Sequence, residues 1–197
     1  MPTPSPDLPA PRLGVLLSGG GRTLQNLIDR VANGRLRAAI ACVLADRPQA
    51  LGLERAARHG VPHACVTEPD AIWRALREHR VDLVCLCGYL RLLPIDPAFA
   101  DRVLNIHPSL LPRHGGKGMF GEHVHAAVLA AGDAESGCTV HLCTDEYDRG
   151  PPLLQQRVPV LPGDDTAALA ARVFAAECEA YPAAIERHWR ALHTTGR

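Results

Sequence analysis

The stretch RLGVLLSGGGRTLQNLIDRVANG, residues 12–34, decides the fold. It opens with an apolar run that is typical of a buried strand, and three glycines, residues 19–21, end that run. Apolar side chains then recur at helical spacing from Leu24 to Val31, and Gly34 closes the segment. The stretch therefore predicts a buried strand that turns through glycines directly into a helix.

The same alternation of strand-like and helix-like segments continues along the first half of the chain. Helix-like segments separate the first three of four further apolar runs, which are residues 38–46, 61–66, 81–90 and 102–107. This order predicts an α/β fold of the Rossmann-like type, with a mostly parallel central sheet and helices on both faces. Sheets of this kind bind their ligands at the carboxyl ends of the strands.

The second half of the chain has a different order of segments. VHAAVLAAGD is helix-like, GCTVHLCTD and LLQQRVPVLPG are strand-like, and a long helical stretch runs from Asp164 to His188. Neither a repeat nor a flexible linker separates the two halves. We therefore expect a single domain over residues 12–190, made of two halves, residues 12–105 and residues 106–190.

The two ends of the chain are expected to lie outside this domain. Residues 1–11 include five prolines and no apolar centre, which predicts a disordered lead-in that contributes nothing to the fold. The same segment lacks the charged start and hydrophobic centre of a signal peptide. Residues 191–197 are expected to be a tail.

The overall composition argues against several classes of protein. Hydrophobic residues make up 47% of the 197 residues, and charged residues 21%, as in ordinary globular proteins. Lys and Arg total 21 and so do Asp and Glu, so we expect no nucleic-acid partner and no membrane surface. The seven cysteines lie mostly in apolar segments, which predicts buried free thiols and a cytoplasmic protein.

The turn SGGGRTLQ, residues 18–25, has the features of an anion site. Exposed N–H groups and the helix dipole favour a phosphate there, and Arg22 and Thr23 add a cation and a hydroxyl. It is not a dinucleotide-binding fingerprint, because Leu24 stands where that motif requires glycine. The alternative is a tight turn with a purely structural role.

The stretch NIHPSLLPRHGG places an amide and an imidazole at the end of a strand-like run. Asn105 and His107 are two residues apart, so in a strand both side chains project to the same face. Pro108 cannot extend the hydrogen-bonded ladder and stops the strand there. Both side chains are expected to face one crevice, although a structural pair that caps the strand is an equal alternative.

Two further loops are candidates for the site. TDEYDRGPP, residues 144–152, contains three carboxylates, of which Asp148 lies in a turn-like context; the alternative is an acidic surface turn. GGKG, residues 115–118, is expected to be a flexible active-site loop and not a phosphate-binding P-loop, because Gly118 replaces the required Ser or Thr.

Histidines and cysteines in the second half also suggest a metal hypothesis. Their spacing matches no zinc motif, so we expect no metal, although these side chains are candidates: His107, His114, His123, His125, His141, Cys138 and Cys143.

Taken together, these segments resemble the glycinamide ribonucleotide formyltransferase family, folate-dependent enzymes of purine synthesis. The matching stretches include LLSGGGRTLQNLID, CGYLRLL, LNIHPSLLP, SGCTVHLCTDEYDRGPPLLQQRVPV and ECEAYPAAI, in the order found in that family. HPSLLP occurs in folate-dependent formyltransferases generally. The chain is expected to lack the extra domains of a transfer-RNA formyltransferase or a deformylase.

The resemblance implies that the formyltransferase fold carries a catalytic trio of Asn105, His107 and Asp148. The formyl donor would be 10-formyltetrahydrofolate, as a co-substrate, and the acceptor the amine of glycinamide ribonucleotide. Asn105 and a protonated His107 would donate to the oxyanion, and Asp148 would raise the pKa of the histidine and assist proton transfer. Both partners are small molecules, and no oligomeric state is predicted.

The resemblance also implies binding roles, with residues 12–105 as the nucleotide- and phosphate-binding half and residues 106–190 as the catalytic and folate-loop half. The residues implied for the phosphate and ribonucleotide are Gly20, Gly21, Arg22, Thr23 and Glu177. The residues implied for the folate are Leu90, Arg91, Leu92, Leu93, Thr144 and Asp145. Arg22 and Thr23 stand where a Ser-Asn pair is more usual, Phe174 where a polar residue often stands, and Lys117 is a candidate to approach a substrate.

Two alternatives stay open at this point. An enzyme of the same fold could formylate another amine, such as an amino sugar nucleotide. A screen of amine substrates distinguishes this enzyme from one that formylates glycinamide ribonucleotide. A folate- or nucleotide-binding protein without catalysis is the other, and it predicts that His107→Ala leaves function unchanged.

Overall fold

The structure, a computed structural model, describes residues 8–194. Its strands are β1 (Arg12–Leu17), β2 (Ala39–Ala45), β3 (His63–Cys65), β4 (Leu83–Leu86), β5 (Val103–His107), β6 (Glu135–Leu142) and β7 (Pro152–Pro159). Its α-helices are α1 (Arg22–Ala32), α2 (Leu51–Arg58), α3 (Pro69–Glu78), α4 (Glu122–Ala130) and α5 (Thr166–Thr194). A short 3₁₀ turn, Pro97–Phe99, precedes β5.

All seven strands form one sheet in the order β3-β2-β1-β4-β5-β6-β7. The first five strands run parallel to one another, whereas β6 pairs antiparallel with β5 and β7 antiparallel with β6. The prediction of a mostly parallel α/β sheet is confirmed. The strand order changes direction between β1 and β4, and the carboxyl ends of these two strands therefore border a crevice in which such folds bind ligands.

The strands are buried because both faces of the sheet are covered. Alternate residues of β1, such as Val15 and Leu16, belong to two different apolar cores. One core contains the apolar faces of α1, α2, α4 and α5, and the other contains α3 and the 3₁₀ turn. Continuous apolar runs such as LGVLL are the expected sequence of strands that are buried on both sides.

The segment before β1 is part of the fold. Leu8 packs against the larger core, the indole N–H of Trp189 donates to the carbonyl of Pro9 at 2.8 Å, and Ala39 N–H donates to that of Pro11 at 2.9 Å. The expectation that residues 1–11 contribute nothing is therefore wrong for residues 8–11, because backbone carbonyls there have acceptor roles. Residues 1–7 lie outside the described residues.

The last helix is longer than the predicted domain. α5 continues through Thr194, so residues 191–194 are helical and not a tail, while residues 195–197 lie outside the described part of the chain. The cysteines carry no disulfide among the described residues; four are buried, Cys143 and Cys178 are partly buried, and Cys65 is exposed, which corrects the expectation of burial there.

Candidate active site

A cavity of about 820 Å³ lies at the carboxyl ends of the central strands. The ends of β1 and β4 are tied together beside it: Ser18 N–H donates to the carbonyl of Gly88 at 3.0 Å, and Leu90 N–H donates to Oγ of Ser18 at 2.9 Å. The start of α1, the end of β5 and one face of α5 complete the walls. The crevice that the strand order predicts is therefore a formed cavity.

The structure brings the predicted trio together on one wall of this cavity. Asn105 Nδ2 donates to Oδ1 of Asp148 at 3.4 Å, and Nδ1 of His107 lies 3.5 Å from Oδ2 of the same carboxylate. Asn105 and His107 both belong to β5, whereas Asp148 comes from the loop after β6. An amide, an imidazole and a carboxylate thus converge from two separate segments.

His141 is a fourth member of this cluster, which the sequence suggested only as a metal candidate. It lies directly opposite Asn105 in the antiparallel register of β5 and β6. Its Nδ1–H donates to the carbonyl of Leu142 at 2.9 Å, so in the neutral ring Nε2 accepts from Asn105 Nδ2, 3.1 Å away. The histidine therefore fixes the orientation of the amide.

His107 is buried and has a partner at each ring nitrogen. A carbonyl only accepts, so Nε2 carries the proton that is donated to the carbonyl of His114 at 2.8 Å, and Nδ1 faces Asp148. Burial lowers the pKa of His107 below 6.5, and the opposing effect of Asp148 is smaller. Asp148 raises the pKa of His107 as expected, but burial outweighs this effect and the net shift of the pKa is downward.

Asp148 is held in a backbone conformation that is unusual for a non-glycine residue. Its φ is 56°, in the left-handed region, and Oδ2 accepts from Gly116 N–H at 2.9 Å. Burial acts to raise the pKa of its carboxyl, but His141, whose Nε2 lies 3.5 Å from Oδ1, the charge of His107 and the Gly116 N–H together lower it below 3.8. The carboxylate is therefore ionised at neutral pH.

Four of the side chains at the other end of the cavity come from α1 and α5. Arg22 and Thr23 begin α1, and the guanidinium of Arg22 lies 3.8 Å above the centre of the Phe174 ring. Glu177 is 8% exposed, and burial raises the pKa of its carboxyl to about 7 against the opposing charge of Arg22. This end offers a cation, a hydroxyl and a buried carboxyl.

The glycines of the turn shape this end but are not among the residues that line the cavity. Gly21 has a φ of 69°, and a Cβ on it would lie 2.7 Å from Cα of Gly52 in α2. The carbonyl of Gly20 accepts from Nε of Arg55 at 2.7 Å. Direct contact of a ligand with these two glycines, as implied by the resemblance, has no support in the cavity lining.

The residues implied for folate binding lie around a different part of the cavity. Thr144 and the segment Leu90, Arg91, Leu92 and Leu93 line it. Leu92 is 41% exposed, whereas Leu93 is 3% exposed and belongs to a core. Asp145 is not among the lining residues; its Oδ1 accepts from Ile95 N–H at 3.1 Å and so connects the two loops.

The glycine-rich loop before α4 covers part of the cavity, which agrees with its prediction as a loop of the site. Lys117, Met119 and Phe120 line the cavity, and so does His125, which is 5% exposed. Sequence reasoning gave Met119 and Phe120 no role, because an apolar residue in a loop carries no pattern. No group of three or more His, Cys, Asp or Glu side chains in residues 8–194 is arranged to hold a metal ion.

An α/β sheet whose carboxyl edge carries an amide, an imidazole and an ionised carboxylate has the groups of an enzyme site, since such groups are suited to holding an oxyanion and moving protons. The model of the formyl transferase family matches residues 11–185. The chain belongs to the formyl transferase family. Within residues 8–194 no helix is both long and apolar enough to cross a membrane.

Relatives and solved structures agree with this assignment. The chain is 37% identical over 186 residues to phosphoribosylglycinamide formyltransferase of Haemophilus influenzae, covering 89% of this chain and 85% of that protein. It is 39% identical over 190 residues to the trifunctional purine biosynthetic protein adenosine-3 of Drosophila pseudoobscura pseudoobscura, covering 90% of this chain but 14% of that protein. The crystal structure of glycinamide ribonucleotide transformylase 1 from Symbiobacterium toebii superposes with a TM-score of 0.84 at 40% identity, covering 92% and 89% of the two chains.

Proposed function

We propose that this chain transfers the formyl group of 10-formyltetrahydrofolate to the amine of glycinamide ribonucleotide, a step of de novo purine biosynthesis, in the cytoplasm. The observation that carries the proposal is the cluster of Asn105, His107 and Asp148 on the wall of the 820 Å³ cavity. Family membership and the names of the similar enzymes support the choice of donor and acceptor.

The chemistry needs no covalent intermediate on the enzyme. The acceptor nitrogen forms a bond to the formyl carbon, and the formyl oxygen takes the electron pair and becomes an oxyanion. Asn105 Nδ2 and the N–H of His107 donate to that oxygen. When the oxyanion collapses, the bond from carbon to the folate nitrogen breaks, and the proton lost by the amine passes to that nitrogen through the His107–Asp148 pair.

Substrate binding exchanges hydrogen-bond partners at His107. The Nε2–H donates to the His114 carbonyl at 2.8 Å, so the formyl oxygen must replace that carbonyl as the acceptor. His114 has a φ of 53° and precedes two glycines, of which Gly116 has a φ of 106°. A loop with such backbone angles can change its path at low energetic cost where it is glycine-rich.

The two ends of the cavity suit the two substrates. Arg22, Thr23 and the free N–H groups of the first turn of α1 bind the phosphate, and Glu177 accepts from a hydroxyl of the ribose. The pterin ring of the folate lies on the loop of Leu90–Leu93, which lines the cavity beside Thr144. This arrangement brings the amine and the formyl group together at Asn105.

The direct test is an assay with purified protein, glycinamide ribonucleotide and 10-formyltetrahydrofolate, in which both formylated nucleotide and tetrahydrofolate are measured. We expect transfer by the unaltered protein and a loss of at least about a hundredfold in kcat for His107→Ala. His63→Ala is the matched control, since His63 is exposed on β3. Folate binding without any formyl transfer would contradict the proposal.

A second acceptor is worth testing because of Phe174. Its half-buried ring lies at the acceptor end of the cavity, where it stacks with Arg22. An amino sugar nucleotide would offer the same phosphate and amine with an additional ring. A screen of amines decides between the acceptors: glycinamide ribonucleotide should have the highest kcat/KM, and a higher value for an amino sugar nucleotide would reverse the assignment.

A further inference from the structure

We propose that Phe174 is the positioning residue for Arg22, and that this stacked pair is the device by which the chain selects an acceptor carrying a phosphate. The inference rests on the proposed function and adds to it a residue that does not itself contact the phosphate. Phe174 acts through the guanidinium, whose plane and position it fixes.

The stacked pair belongs to a row of side-chain contacts between α1 and α5. Arg22, Asn26 and Arg30 lie four residues apart on one stripe of α1. Asn26 Nδ2 donates to the carbonyl of Cys178 at 3.0 Å, and Arg30 forms an ion pair with Glu179. These contacts fix the two helices side by side. The stacked pair of Arg22 and Phe174 lies in the same row and lines the cavity.

The guanidinium of Arg22 keeps its hydrogen-bonding capacity for a ligand. Within residues 8–194 it donates no hydrogen bond and forms no salt bridge; its contact is the ring of Phe174, 3.8 Å away. An aromatic face attracts the cation without using its N–H donors. Those donors lie in the plane of the guanidinium, in the fork geometry that matches two oxygens of a phosphate.

A second observation independently points to a ligand at this place. Glu177 lies three residues after Phe174, on the same face of α5, and lines the same cavity. It is 8% exposed, and its carboxyl has no hydrogen bond or salt bridge with residues 8–194. A carboxyl at the cavity wall that uses none of its acceptor positions within the described residues can accept from a ligand donor, such as a sugar hydroxyl next to the phosphate.

Arginine without the ring would be a poorer binding group. A free arginine side chain loses rotamer freedom when it binds, whereas stacking restricts that freedom before the ligand arrives. The ring also covers one face of the guanidinium and lowers its exposure to water, which strengthens the remaining charge-assisted hydrogen bonds. Removing the ring should therefore weaken phosphate binding without altering the chemical step.

The test compares Phe174→Leu and Phe174→Tyr with the unaltered enzyme, using glycinamide ribonucleotide and the corresponding riboside, which lacks the phosphate. Phe174→Leu should raise KM for the nucleotide about five- to tenfold with kcat unchanged. The KM for the riboside should stay the same, and Phe174→Tyr should restore the value for the nucleotide. Phe120→Leu makes the same change elsewhere in the cavity and should leave the ratio of the two KM values unaltered.

A double-mutant cycle separates positioning from simple packing. If Phe174 acts through Arg22, Phe174→Leu adds nothing to the loss caused by Arg22→Met. The inference would be overturned if the double variant showed the product of the two single increases in KM for the nucleotide. It would also be overturned if Phe174→Leu raised KM equally for the nucleotide and the riboside. Phe174 is half-buried, so a melting curve of each variant is sufficient to verify folding.

A binding measurement without folate tests the role of Phe174 separately from the proposed function. Binding of ribose 5-phosphate, measured by calorimetry without folate, should weaken about five- to tenfold in Phe174→Leu. Absence of formyl transfer by the unaltered enzyme contradicts the proposed function alone. Unchanged binding of ribose 5-phosphate in Phe174→Leu contradicts the positioning role alone.

Discussion

At the scale of single residues, Asn105 is the group on which the proposed chemistry depends most directly. Its amide has two N–H donors, which meet His141 and Asp148 in the structure. Asn105→Ala removes an oxyanion donor, so kcat should fall about a hundred- to a thousandfold while KM for both substrates changes little. Steady-state kinetics measure this split, and Asn33→Ala, at the exposed end of α1, is the control.

A rise in KM with kcat unchanged would mean that Asn105 binds the substrate equally in the ground state and in the transition state. The distinction matters because a donor that is used only in the transition state affects kcat and kcat/KM equally.

The pH profile tests the pair of His107 and Asp148. Burial already lowers the pKa of His107, and the charge of Asp148 acts in the opposite direction. Asp148→Asn removes that raising effect, so the pKa falls further and the protonated imidazole is lost at lower pH. The limb of kcat/KM that requires protonated His107 should therefore move to lower pH.

Asp145→Asn is the matched control for this shift. Asp145 lies in the same loop, and an asparagine there keeps an oxygen for Ile95 N–H. In Asp145→Asn, the limb of kcat/KM that requires protonated His107 should stay at the same pH. The same shift in both variants would contradict a specific role of Asp148.

At the scale of the elements, the turn from β1 to α1 depends on one glycine. Gly21 is in the left-handed region, and an added Cβ would lie 2.7 Å from the backbone of Gly52. Gly21→Ala should lower the free energy of unfolding by about 2 kcal/mol or more, and Tm by roughly 5 °C. A Cβ on Gly19 would have no atom within 4 Å, so Gly19→Ala should change Tm little. Equal melting temperatures for the two variants, measured by calorimetry, would disprove this role of Gly21.

The alternation of strands and helices is the part of the fold that the sequence predicts well. β1 and β4 are continuous apolar runs, whereas α1 has apolar residues at helical spacing. The spacing of apolar residues is therefore enough to distinguish these strands from this helix. The antiparallel direction of β6 and β7 was not predicted, because the same residues form a strand in either direction. His141 was missed for that reason, since its place opposite Asn105 exists only in the antiparallel register.

The site itself was predicted unevenly. Asn105 and His107 follow from their spacing in a strand. Asp148 was a candidate from its turn-like context, but its grouping with the other two came only from a family resemblance, because it lies in a loop some forty residues later. The stacking of Arg22 on Phe174 joins residues from the first and last helices. Such a contact depends on how helices pack and leaves no local pattern.

At the scale of the whole molecule, Glu177 makes stability depend on pH. Its carboxyl has a pKa of about 7 in the folded chain against an ordinary value of 4.5. The folded chain therefore holds this proton more tightly than the unfolded chain, so this contribution to stability is present below pH 4.5 and is lost as the pH rises through 7.

Glu177→Gln removes this dependence while keeping the size of the side chain. The free energy of unfolding of the variant relative to the unaltered chain should rise with pH in this window, by at most about 1.4 kcal/mol per pH unit. Denaturant titrations at a series of pH values measure the difference. A difference that is the same at pH 5 and pH 8 would contradict the prediction.

The position of α5 has a consequence for how the protein is made. This helix supplies Phe174 and Glu177 to the cavity and also covers one apolar face of the sheet, through side chains such as Leu169 and Tyr181. A nascent chain that has left the ribosome only as far as β7 therefore carries all seven strands, yet the part of that face beneath α5 is open to water and the acceptor end of the cavity is incomplete. Within the described residues, α5 thus completes the wall of the cavity and covers apolar surface in the same step of synthesis.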